Sequence, residues 1–191
     1  MIDSLIVGAI NGLLTQGGFS LADKFKKMKL KGKVEQGSAT DDELFKYNEL
    51  LGSSLSDYVV SSQLMTDFLA KNPEHLFPNI TLGVNGIAMI IQRKKQIAFV
   101  DMKALPEFAD ARKHIDKAYD LVKNHTLEES WFKNLKNNGD LFLLYVNKAA
   151  QAYYFKGFLE HIDGNQEAAK LLKADAVKMD KKVVKMLQYG K

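Results

Sequence analysis

The chain has 191 residues, no cysteine and three prolines, with 46% hydrophobic and 26% charged residues. Its length is one domain's worth, about 100–200 residues, and its composition excludes a wholly disordered chain; without cysteine there is no disulfide scaffold, thiolate zinc site or cysteine nucleophile, which fits a reducing, cytoplasmic setting. The net charge of +4 is local, because residues 1–33 carry six lysines against two acids and the remainder holds 21 bases and 21 acids, so no chain-wide field for capturing nucleic acid is present.

The N-terminal segment has the sharpest pattern. Ile2, Leu5, Ile6, Ala9, Ile10, Leu13 and Leu14 recur at helical spacing, which predicts an amphipathic helix started by Asp3 and Ser4. About 13 residues cannot span a bilayer. Ser4, Gly8 and Gly12 add a stripe of small residues where a second helix can approach. After Gly17-Gly18 comes another amphipathic stretch, with Phe19, Leu21, Ala22, Phe25 and Met28 apolar and Lys24, Lys26, Lys27, Lys29, Lys31 and Lys33 expected opposite. Two uses fit residues 1–33. One is a peripheral anchor, an apolar helix plus a polybasic patch, the pair of signals that holds a protein on anionic lipid. The other, commoner use is a helix docked on the core or on a second copy, followed by a solvated lysine strap.

Residues 31–38, polar and glycine-bearing, read as a connector to a single mainly helical domain over residues 34–191. Thr40 with Glu43 is a capping box and opens a helix with Leu44, Phe45, Leu50 and Leu51. A second helix follows through Tyr58, Met65 and Phe68 and stops at Asn72-Pro73. Residues 80–102 fit either a helix or a small β-hairpin. The β-branched arms favour the hairpin, although the Arg93-Lys94-Lys95-Gln96 tip lacks the Gly or Asn of a tight turn. Pro106 suits the first position of a helix whose stripe is Phe108, Ala111, Ile115, Ala118, Tyr119 and Val122. Thr126 and Glu129 cap a short helix around Trp131. The run Leu141–Val146 is apolar all round and predicts the central buried helix. It ends at Gly164, suited to a left-handed cap, and a last helix is expected over roughly 166–187. Trp131, Leu144, Tyr145 and Leu172 are expected to be buried. The fold class is a mainly α bundle or array of helical hairpins.

Tyr153, Gly157, Gly164, Ala169, Ala176 and Asp180 carry one likeness: residues 153–181 resemble a single tetratricopeptide repeat, in which small residues let two antiparallel helices pack closely. Lys156, Glu160, Lys173 and Lys181 depart from that pattern, and no second copy follows at the repeat period. The resemblance implies a helical protein-binding scaffold.

Chemistry-bearing motifs are sparse. Gly12 to Gly17 has the first spacing of a phosphate loop but continues Gly18-Phe19 instead of Lys-Ser/Thr. His-Ile-Asp occurs at 114–116 and 161–163, yet residues two apart on a helix do not face each other. No cofactor, metal or catalytic residue is expected. Only two arginines, Arg93 and Arg112, are available for reading bases, so nucleic acid is disfavoured. The expectation is a non-catalytic adaptor or scaffold that binds another protein or itself. The alternative is a peripheral membrane protein, cytoplasmic and membrane-associated. In both cases the candidate surface is Leu5, Ile6, Ile10 and Leu13 with Lys24, Lys26, Lys27, Lys29, Lys31 and Lys33.

Overall fold

The computed structural model describes residues 20–94, 99–124 and 139–182, and among them are eight helices and no strand. In chain order these are α1 (Leu21–Glu35), α2 (Asp41–Glu49), α3 (Leu55–Leu69), α4 (Leu76–Lys94), α5 (Phe99–Lys103), α6 (Pro106–Asn124), α7 (Gly139–Ile162) and α8 (Gln166–Met179).

Local chemistry sets most of the boundaries. The first three helices each begin with a reciprocal capping box, Ser20 with Asp23, Thr40 with Glu43 and Ser54 with Asp57, which satisfies donors at the helix N-terminus that lack intrahelical partners. Two helices end on glycines in the left-handed region, Gly37 at φ 66° and Gly164 at φ 88°. At the second, the Gly164 and Asn165 amides donate to the carbonyls of His161 and Glu160, the paired bonds of a Schellman end. Gly37 and Ser38 do the same to Val34 and Lys33. The connector expected at 31–38 is therefore helical as far as Glu35 and turns only at Gly37.

The centre of the molecule is α4, which packs against α3, α6 and α7, while α7 and α8 form an antiparallel hairpin. The main core runs through Ile80, Ile87, Ala88, Phe108, Ala111, Ile115, Ala149, Phe155 and Leu159. A second, smaller core gathers Phe45 of α2, Met65 and Phe68 of α3, and Phe77 of α4. Phe45 stacks on Phe77 at 4.3 Å and meets Phe68 edge-on at 5.0 Å, arrangements that favour the ring quadrupoles. Among these helices α1 lies outermost, packed chiefly on α2.

The structure corrects the β-hairpin expected at residues 80–102. Its first arm belongs to α4, and Phe99–Lys103 of the second arm is the short α5. Helices cover α4 on several sides, so its buried residues extend around the helix and include the β-branched Ile80, Thr81, Val84, Ile87 and Ile90. Such a run imitates a buried strand. The central helix is thus α4, and the buried residues described in α7 run from Tyr145 to Leu159. Leu143 is exposed and Leu144 half-buried. Leu172 is also half-buried, and Trp131 lies outside the described residues. The last helix, α8, breaks after Met179, where Asp180 turns extended; residues 181–182 are helical again, and the expected end at 187 lies outside the described residues.

Candidate functional site

Six of the candidate residues lie on α1. Leu21, Phe25 and Met28 fall at i, i+4 and i+7, and they are 71%, 62% and 68% exposed. The only buried residue of the helix is Leu30, at 7%. At about 100° per residue, Leu30 lies diametrically opposite Leu21. The apolar stripe therefore faces away from the body of the protein, and a different face docks on α2. At the same angular step Lys24 and Lys29 fall on the two shoulders of the stripe, roughly 60–80° from its centre, while Lys26 sits further round. Lys24 and Lys29 are thus beside the stripe, whereas Lys26, Lys27 and Lys33 fall toward the opposite side.

The six lysines divide by partner. Lys33 pairs with Glu43, Lys31 with Glu35 at 3.5 Å and Lys27 with Asp57 at 3.9 Å. Lys24, Lys26 and Lys29 are exposed and have no ion pair among the described residues. The Lys33 contact and the Thr40 amide hold the Glu43 carboxyl below its usual value. The Lys33 and Lys27 contacts tie α1 to α2 and α3, the Lys31 pair lies within α1, and the stripe is left uncovered by any described helix. Leu5, Ile6, Ile10 and Leu13 lie outside the described residues.

A second site was missed by reading the sequence alone. Where α2, the following loop, α3, α4 and α7 meet, a cavity of about 130 Å³ is lined by polar side chains. Asn48, Ser61, Thr81, Asn85, Lys148 and Gln151 are all buried there. Ser61 Oγ donates to Asn48 Oδ1 at 2.7 Å, and Asn85 Nδ2 donates to Ser61 Oγ at 2.8 Å. Lys148 Nζ sits 2.9 Å from Glu49 Oε1 and 4.7 Å above the Phe77 ring. The Thr81 hydroxyl is buried without a hydrogen-bond partner. Tyr58, on the wall, has its hydroxyl pushed up to about 12 by burial. The available signal was polar residues inside otherwise apolar helices: Thr81 and Asn85 one turn apart in α4, and Lys148 and Gln151 in α7.

The histidines go to separate contacts. His114 Nδ1 meets Asn79 Oδ1 at 3.1 Å, and His161 Nδ1 meets Gln166 Oε1 at 2.8 Å. Asp116 binds Lys156, and Asp163 binds Arg112 and Lys103. The two His-Ile-Asp triplets are thus divided among five structural contacts. Lys156 and Glu160, which depart from the repeat pattern, form an ion cluster with Asp116 that ties α7 to α6.

No family model, curated protein or solved structure matches the chain. A single hairpin such as α7–α8 is common to many helical folds, and Gly157 against the Ala169 carbonyl and Leu172 explains its close packing without invoking a repeat.

Proposed function

We propose that the protein is a peripheral, non-catalytic docking protein that lies on an anionic membrane surface through α1. The observation that carries this reading is the exposure of Leu21, Phe25 and Met28 on the side of α1 opposite buried Leu30. A helix that only completes a core turns its apolar stripe inward. An interfacial helix turns it outward and keeps cations on the shoulders, where their stems lie along the apolar phase and their charges reach the headgroups. Lys24 and Lys29 hold those shoulder positions. Each lysine near an anionic surface contributes about 1 kcal/mol at low salt, and the stripe adds burial in the headgroup boundary. No described helix is long and apolar enough to cross a membrane.

The adaptor reading uses the same face, since i, i+4 and i+7 anchors also fit a groove on a partner protein. The free lysines on the shoulders favour lipid. The test is sedimentation with phosphatidylserine-containing vesicles and with phosphatidylcholine vesicles. The intact chain is expected to pellet with the first only and to be released by salt. Phe25→Ser, which replaces an exposed side chain, is expected to weaken binding without lowering thermal stability. A folded protein that stays in the supernatant with anionic vesicles at low salt contradicts the membrane proposal and leaves the adaptor reading.

A further inference from the structure

We infer that the polar cavity between α2, α3, α4 and α7 is a binding site for a small zwitterion of the amino-acid type. This stands apart from the role of α1, because none of its residues lies on that helix.

Three observations lead to this ligand chemistry. The first is size: a cavity of about 130 Å³ exceeds the room needed for a single bridging water by several-fold and suits a molecule of a few heavy atoms. The second is charge. Lys148 and Glu49 place one cation and one anion 2.9 Å apart on the wall, the lysine side chain 6% exposed and the glutamate 37%. The two groups already compensate each other, so a ligand with a single charge sets one of them against its own sign with nothing to balance it. A zwitterion answers both, with its carboxylate toward Lys148 inside and its ammonium toward Glu49 at the mouth.

The third observation is the hydrogen-bonding capacity left over. Thr81, 4% exposed, has a buried hydroxyl with no partner, an arrangement that costs stability unless something else bonds to it. Around it Asn48, Ser61 and Asn85 hold one another in fixed positions across three helices. Their mutual bonds orient the amides before any ligand arrives. Thr81 and Lys148 line the same cavity, and Val84 and Leu51 supply apolar surface there for a short side chain.

Thr81→Val tests the site with least damage. It keeps the shape and removes the unpartnered hydroxyl, so the variant is expected to fold with unchanged or raised thermal stability. The probes are glycine, alanine and serine, with acetate and ethylamine as single-charge controls, followed by calorimetric titration and by melting temperature. At least one amino acid is expected to bind the intact chain and to raise its melting temperature with concentration, while neither control does. Thr81→Val is expected to weaken that binding by about tenfold or more. No binding by any of the three amino acids, equal binding by acetate or ethylamine, or unchanged affinity in a folded Thr81→Val protein would each overturn the proposal.

Discussion

Gly83 of α4 lies directly against Ile115 of α6. A Cβ on residue 83 would stand 2.5 Å from Ile115 Cγ1 and 3.1 Å from both the Ala111 carbonyl oxygen and the Ile115 amide nitrogen. One turn on, a Cβ on Gly86 would come within 2.8 Å of Ala111 Cβ. The two glycines let the central helix meet α6 backbone to backbone. Gly83→Ala forces the helices apart and is expected to cost about 1–3 kcal/mol. Gly32, inside α1 with nothing within 4 Å of its Cβ position, is the control. Gly32→Ala is expected to stabilise α1 by about 0.5–1 kcal/mol through helix propensity. Urea unfolding of both variants checks this, and a neutral Gly83→Ala would mean that the α4–α6 crossing is looser than described.

Asp163, at the turn between α7 and α8, receives Arg112 through two bonds of 2.8 and 3.1 Å and Lys103 at 2.7 Å. The Arg112 and Lys103 donors hold its carboxyl down at about 2 against an ordinary 3.8. A depressed carboxyl contributes stability above its unfolded pKa and loses it as pH falls through the folded value. The contribution is therefore intact at neutral pH and disappears below about 3.8 toward about 2. The pairs are partly exposed, so Asp163→Asn is expected to cost only about 1 kcal/mol at pH 7. Carboxyl titration by nuclear magnetic resonance checks the cause. In Arg112→Leu the Asp163 value is expected to rise toward the ordinary range, and an unmoved value would remove Arg112 from the explanation.

His75 immediately precedes α4 and faces the small aromatic core. The Phe77 amide donates to His75 Nδ1 at 3.3 Å, so the ring proton sits on Nε2 and is donated to the Tyr145 hydroxyl oxygen at 3.0 Å. Burial pushes the His75 pKa below 6.5, with Asp41 opposing the shift. The folded protein thus binds the proton less well than the unfolded chain. Stability from the neutral ring is complete above about 6.5 and is lost as pH falls through the folded value. The melting temperature is expected to drop between pH 7 and pH 5, and less so in His75→Gln. His114, also lowered by burial, contributes a second loss of the same sign, so the His75 ring itself is to be followed by nuclear magnetic resonance. A His75 ring that titrates at or above 6.5 would contradict the buried, neutral assignment.

Features encoded within a few residues were legible in the sequence. The Thr40–Glu43 box, Pro106 at the start of α6 and Gly164 after α7 all act locally, and each stands where its chemistry requires. The α6 stripe was legible because that helix buries one face, so its period stands out against polar neighbours. The same logic misleads for α4, where Ile80, Val84, Ile87 and Ile90 are covered from several directions and the period is blurred. Spacing identified Leu21, Phe25 and Met28 as one face of α1, but spacing cannot say which face docks. Leu30 decides that, and its partners lie in other helices. The cavity was hidden for a further reason: Asn48, Ser61, Thr81, Asn85 and Lys148 come from four helices and touch only after the bundle closes.

The outward orientation of the α1 stripe is tested most directly by a probe on the stripe itself. The chain contains no cysteine, so Met28→Cys and, as a control on α8, Lys170→Cys each accept a single polarity-sensitive fluorophore. With phosphatidylserine-containing vesicles at low salt, the label at position 28 is expected to shift to the blue as it enters the headgroup boundary, and high salt is expected to reverse the shift. The label at position 170 is expected to stay in water throughout. A label at position 28 whose emission does not change on adding those vesicles would contradict membrane attachment through α1.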